Sequence, residues 1–158
     1  MQLQDTPGKA GGPLSAEDAL PALEAELAAL WRRGRTVART SARAIHPKLD
    51  PTAYPLLVLL FHAGELRMSE LASTMGLDKS TVTRQVDAAA RLGLLERATD
   101  PADARARLVT LTENGRGRVT AVLAAQRTRW RTALSTWPVE DIESLTTLLH
   151  NLGDSDIT

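Results

Sequence analysis

Between Lys79 and Arg91, hydrogen-bonding and basic side chains recur at helical spacing: Ser80, Arg84, Ala88 and Arg91 fall along one side, with Thr81 and Gln85 on its flank. Serine, threonine, glutamine and arginine can reach base edges or phosphate oxygens, and this set holds little acid to repel a polyanion. The other side carries Val82, Val86, Ala89 and Gly93, the expected core face. From Lys79 to Arg118 there are eight bases (Lys79, Arg84, Arg91, Arg97, Arg105, Arg107, Arg116, Arg118) against five acids (Asp87, Glu96, Asp100, Asp103, Glu113). Over the whole chain 19 basic residues balance 19 acidic ones, which excludes a protein that coats nucleic acid by bulk positive charge but not one with a local basic face.

Other chemistries lack their materials. Cysteine is absent, and His46, His62 and His150 lie in three different segments with no histidine pair four residues apart. That leaves no zinc ligand set, no thiol nucleophile and no disulfide. There is no Gly-rich phosphate loop, no nucleophile elbow and no Ser, His and Asp grouping. The expectation is a non-enzyme with no cofactor and no metal. The longest apolar run, Leu56 to Phe61, falls far short of the roughly 18 to 20 residues of a membrane span, so no membrane partner and a cytoplasmic location are expected.

The elements that must position this face follow from caps and breakers. Residues 1–14, rich in Gly and Pro, read as a disordered tail. Ser15 with Asp18 makes a capping box ahead of Leu20, Leu23, Leu27, Leu30 and Trp31, and Pro21 places the regular start of that helix near itself; Pro47 stops it at His46. Asp50 and Pro51 open a short, wholly apolar, hence buried helix that Gly64 ends. Ser69 is placed to cap a helix holding Leu71, Ala72 and Met75; Gly76 makes a turn; Asp78 or Ser80 caps the polar-faced helix, which Gly93 ends. Leu94 to Ala98 reads as a strand, Thr99 to Arg105 as a polar turn, Arg107 to Leu111 as the returning strand. Thr112 caps a long helix and Pro138 starts a last one.

A capped short helix, a Gly turn, a polar-faced helix and a hairpin with arginine at its tip is the layout of a winged helix-turn-helix. The fold class expected is mainly α with a small β-wing, in the order helix, helix, strand, helix, helix, strand, wing, strand, helix, helix. Residues 15–48 and 113–152 are expected to form dimerisation helices around a winged module at 50–112.

The chain resembles the MarR (multiple antibiotic resistance regulator) family of dimeric winged-helix transcription factors. The likeness runs through Leu66-Arg67-Met68-Ser69-Glu70-Leu71-Ala72, Ser80-Thr81-Val82-Thr83-Arg84 with Val86-Asp87, and Arg91-Leu92-Gly93-Leu94-Leu95-Glu96-Arg97. It continues in Asp100-Pro101-Ala102-Asp103-Ala104-Arg105 and Leu111-Thr112-Glu113-Asn114-Gly115. The resemblance implies a recognition helix from about Lys79 to Arg91, with Ser80, Thr81, Thr83 and Arg84 as base or phosphate contacts. It implies Arg105 as the wing-tip arginine, Asp103 as the acid orienting it, and Asp87 with Arg97 as a structural pair. With the basic and polar neighbours Lys79, Gln85, Arg91 and Arg107, these make the expected DNA-binding set.

Surplus apolar surface on the terminal helices, including Trp31, Trp130 and Trp137, points to a homodimer, and two-fold symmetry to a near-palindromic operator. The resemblance further implies a small-molecule effector, often an aromatic anion, in the crevice between dimerisation helices and winged module; His46, Tyr54, His62 and Arg43 are the candidates nearest it. The stripe Arg32, Arg35, Arg39 and Arg43 reads as a solvated face. A repressor released by its ligand is the expected function. The alternative is a winged-helix protein-interaction adaptor with little specific DNA binding, since such folds also serve as docking modules.

Overall fold

The computed structural model describes residues 15–154; the tail expected at 1–14 lies outside them. Helix α1 (Ala16–Ile45) begins at Ser15, whose hydroxyl oxygen accepts from the Asp18 amide while the Asp18 carboxylate accepts from the Ser15 amide. The helix therefore starts five residues before Pro21, and Pro21 sits inside it. An alanine-rich first half and the paired cap offset the one backbone bond the proline forgoes.

A 3₁₀ turn, Pro51–Ala53, capped by Asp50, leads into α2 (Tyr54–Ala63). Leu56, Leu57 and Leu60 of α2 are fully buried, and each removes enough apolar surface from water to contribute about 1.5–3 kcal/mol. After Gly64 come β1 (Glu65–Arg67) and α3 (Met68–Met75). Arg67, not Ser69, precedes the first turn of α3, and its amide donates to the Glu70 carboxylate at 2.7 Å. Strand pairing carries the chain to Arg67, so the helix begins two residues earlier than a Ser69 cap would allow.

Gly76, at φ +61°, closes α3 in the left-handed conformation that glycine adopts freely, and the Leu77 amide reaches back to the Ala72 carbonyl at 3.0 Å. Helix α4 (Lys79–Arg91) follows under an Asp78 cap, burying Val82, Val86 and Ala89. Strands β2 (Leu95–Asp100) and β3 (Asp103–Leu111) are antiparallel, and the sheet order is β1-β3-β2. The wing is thus longer and tighter than the sequence suggested: Thr99 pairs with Arg107, Asp100 with Asp103, and only Pro101 and Ala102 remain in the turn. The Asp100 carboxylate accepts from the Ala102 amide at 2.7 Å, an Asx-type turn that lets polar residues continue the ladder.

Helix α5 (Glu113–Ala133) is capped by Thr112, and α6 (Val139–Gly153) starts after Pro138. Ala42 and Ile45 of α1, the α2 leucines, Val82, Val86, Leu94, Val109 and Val119 form one core. The winged module surrounds it, with the C-terminal half of α1 and the N-terminal half of α5 closing its back.

Candidate nucleic-acid interface

The Asp78 carboxylate sets the start of α4. It accepts from the Thr81 amide at 2.9 Å, from the Thr81 hydroxyl at 2.6 Å and from the Ser80 hydroxyl. The hydroxyls of Ser80 and Thr81, with the Thr81 amide behind them, hold the Asp78 carboxyl far below its usual range. Both hydroxyl protons are therefore spent on the cap. As they stand, Ser80 and Thr81 can accept from a partner but cannot donate to a phosphate, which itself only accepts.

The Thr83 hydroxyl donates to the Lys79 carbonyl at 2.7 Å, and one arm of Arg84 donates to the Thr81 hydroxyl at 3.3 Å. Lys79, Ser80, Thr83 and Arg84 line an open depression on the exposed side of α4, with Arg91 exposed at its far end. Gln85 turns away from this face. Its Nε2 donates to the Thr52 hydroxyl at 3.4 Å, while its Oε1 is sealed from solvent without a hydrogen-bond partner.

The wing is braced from two sides. Asp87 and Arg97 form an ion pair at 2.6 Å, both partly exposed, tying α4 to β2. Arg67 holds Asp100 at 2.5 Å, the carboxylate being buried. The Ala102 amide above all, then Arg67, keeps the Asp100 carboxyl below its ordinary range against the opposing cost of burial. Asp103, exposed at the turn, adds its field to Arg67. Arg107 donates to Thr99, its partner across the strands. The backbone of Arg105 lies in β3; its side chain, and so its relation to Asp103, lies outside the described residues.

The candidate effector residues do not converge. His46 ends α1 and its Nδ1 accepts from the Lys48 amide at 3.1 Å. Tyr54 is buried, with its hydroxyl accepting from Gln126 at 2.8 Å. His62 is exposed beside Phe61, edge to face, and Arg43 is exposed with the rest of the arginine stripe. Sequence reasoning missed the Arg67–Asp100 pair, the Gln126 contacts and the Arg118 guanidinium that donates to the Ile45 carbonyl at 2.8 Å, capping the end of α1. None of these lies at a spacing that local pattern reveals.

The sequence model of the MarR family matches residues 49–106, the 3₁₀ turn, α2 to α4 and most of the wing. Over 135 residues the chain is 30% identical to the HTH-type transcriptional regulator YxaD of Bacillus subtilis, covering 85% of this chain and 93% of that one. The chain belongs to the MarR family. A probable transcriptional regulator from Pseudomonas aeruginosa is 32% identical, with 78% of this chain and 92% of that one aligned and a TM-score of 0.58. BpsR of Bordetella bronchiseptica, whose DNA binding is regulated by 6-hydroxynicotinic acid, shares the fold at a TM-score of 0.65 and 22% identity, over 92% of this chain and all of that one. As a MarR-family protein the chain is a DNA-binding transcriptional regulator with a winged helix. No helix among the described residues is long and apolar enough to cross a membrane.

Proposed function

We propose that the protein is a cytoplasmic homodimeric repressor that reads a near-palindromic operator through α4 and the wing of each subunit. The apolar surface left uncovered on its terminal helices supports the dimer. Leu20, Leu23, Leu30 and Trp31 of α1 are each 47–63% exposed, and Leu145, Leu148 and Leu149 of α6 are 41–65% exposed. No residue of α6 is buried. A fifteen-residue helix with no fully buried residue, only Ile142 and Leu152 being half-buried, gains little from propensity alone, so a second copy is the natural cover for it. The proposed division is two dimerisation segments, 15–48 and 113–152, around a DNA-binding module at 50–112.

Lys79, Ser80, Thr81, Thr83, Arg84 and Arg91 are the proposed contacts on α4, with Arg105 and Arg107 from the wing. Arg84 suits guanine or phosphate because its fork is exposed and only one arm is engaged. Gln85 contributes only by leaving Thr52. Release by a small aromatic molecule is proposed by analogy with BpsR, with Arg43, His46, Tyr54 and His62 as separate candidate contacts rather than one formed pocket. The test is sedimentation with and without duplex. A species of twice 17.1 kDa that Leu148→Glu splits, losing duplex binding with it, supports the proposal. A wild-type chain sedimenting as a monomer on and off DNA contradicts it.

A further inference from the structure

A buried polar junction joins the helical region to the winged module. Gln126 of α5 donates from Nε2 to the Ser41 hydroxyl of α1 at 2.9 Å and to the Tyr54 hydroxyl of α2 at 2.8 Å. Ser41 is 3% exposed and Tyr54 9%. One amide nitrogen therefore forks between a helix of each region, using both its protons. The buried core residues of the same two helices, Ala42 and Ile45 of α1 and Val119 and Val122 of α5, are apolar. Apolar contact is non-directional and tolerates rocking, whereas a forked donor loses a bond when either helix moves by about an ångström.

Placement on α5 adds leverage. The winged module joins α5 at its Thr112 cap, and Gln126 is fourteen residues further, about 21 Å along the helix, so it holds the two regions together far from that junction. Tyr54 also lies two residues beyond Thr52, and the Thr52 hydroxyl accepts from Gln85 of α4 while donating to Asp50 at 2.7 Å. Tyr54 thus directly follows the 3₁₀ turn against which α4 packs.

We propose that Gln126 is a positioning residue for DNA reading: through Ser41 and Tyr54 it fixes the angle at which the winged module, with α4 in it, is held on the helical region, and so the separation of the two copies of α4. This rests on the proposed dimeric, operator-reading function. Two measurements on the full-length chain separate them. The sequence has no cysteine, so Ser73→Cys on α3 and Ala121→Cys on α5 can carry spin labels, diluted into unlabelled protein to report one intrachain distance. Duplexes carrying the same half-sites at varied spacing report the second.

Wild type should give a narrow distance distribution and a sharp spacing optimum. Gln126→Met, close in volume, should broaden the distribution and flatten the preference for the optimal spacing by at least about five-fold, since both buried hydrogen bonds are lost and one alone is equivalent to about that factor, while half-site sequence preference stays unchanged. Tyr54→Phe should do the same to a smaller degree, and should add nothing to Gln126→Met in the double variant. Should Gln126→Met fail to fold, Tyr54→Phe alone decides: a wild-type width and spacing profile overturns the proposal. If wild type shows no spacing preference on any duplex, the operator-reading function fails, and unchanged label distances in the variants would overturn the positioning role independently.

Discussion

Gly115, in the first turn of α5, lies against the backbone of Leu94 so closely that a Cβ there would stand 2.1 Å from the Leu94 carbonyl oxygen. Thr112 makes this approach: its amide donates to the same carbonyl at 3.1 Å, its hydroxyl donates to the Gly93 carbonyl at 2.7 Å, and that hydroxyl accepts from the Gly115 amide at 3.0 Å. The Leu-Thr-x-x-Gly motif is therefore a weld between the turn that follows α4 and the start of α5. Gly115→Ala should destabilise the fold by about 2–3 kcal/mol, because backbone rather than a side-chain tip must move. Gly117→Ala, where nothing lies within 4 Å, is the control and should be neutral or slightly stabilising in urea unfolding.

Duplex binding should separate Arg84 from Lys79. Arg84→Ala should weaken binding by about 1–3 kcal/mol and relax preference at one base pair, whereas Lys79→Ala should weaken all sequences alike and lower the salt slope by about 1. Titrations at several salt concentrations check both. Equal loss on every sequence for Arg84→Ala would assign it to phosphate instead.

Stability should fall on acidification. Asp18, Asp50, Asp78 and Asp100 all have carboxyls held below their ordinary range, by the Ser15 hydroxyl, the Thr52 hydroxyl, the Ser80 and Thr81 hydroxyls, and the Ala102 amide respectively. A lowered folded value means that the unfolded chain takes up protons first, near the ordinary carboxylate value of about 3.9. The contribution is complete above that value and disappears as pH drops through the folded values. Urea midpoints should hold from pH 7 to 5 and fall below about pH 4. Asp78→Asn, which still caps the helix, should make that fall shallower.

Gln85→Met should raise the unfolding midpoint. The buried Oε1 has no partner, which costs about 1–3 kcal/mol, and the Nε2 bond to Thr52 at 3.4 Å is long. Removing both polar atoms trades a weak bond for the relief of an unsatisfied one. A lower melting temperature would show that the amide is satisfied by something else, such as a bound water.

Much of this architecture was legible because its signals are local. Ser15, Asp50, Asp78 and Thr112 announce helix starts, Gly64, Gly76 and Gly93 announce stops, and Val82, Val86 and Ala89 repeat at helical spacing. The wing is longer than its local sequence predicts because Thr99, Asp100 and Asp103 are turn-prone types, and only pairing between β2 and β3 keeps them extended. Gln85 and Thr81 fall on the polar flank by periodicity alone; what turns one toward Thr52 and spends the other on Asp78 is a neighbour the helical wheel does not contain. Arg67 with Asp100, and Gln126 with Ser41 and Tyr54, join residues 33 or more positions apart.

The most direct test is selection of bound sequences from a random duplex pool by the purified full-length chain. An inverted repeat with half-site centres roughly 34–36 Å apart, lost when Arg84→Ala is used, is the predicted result. Recovery of no enriched sequence, or of a single unrepeated site bound equally well by Arg84→Ala, would contradict a symmetric pair of α4 helices reading DNA.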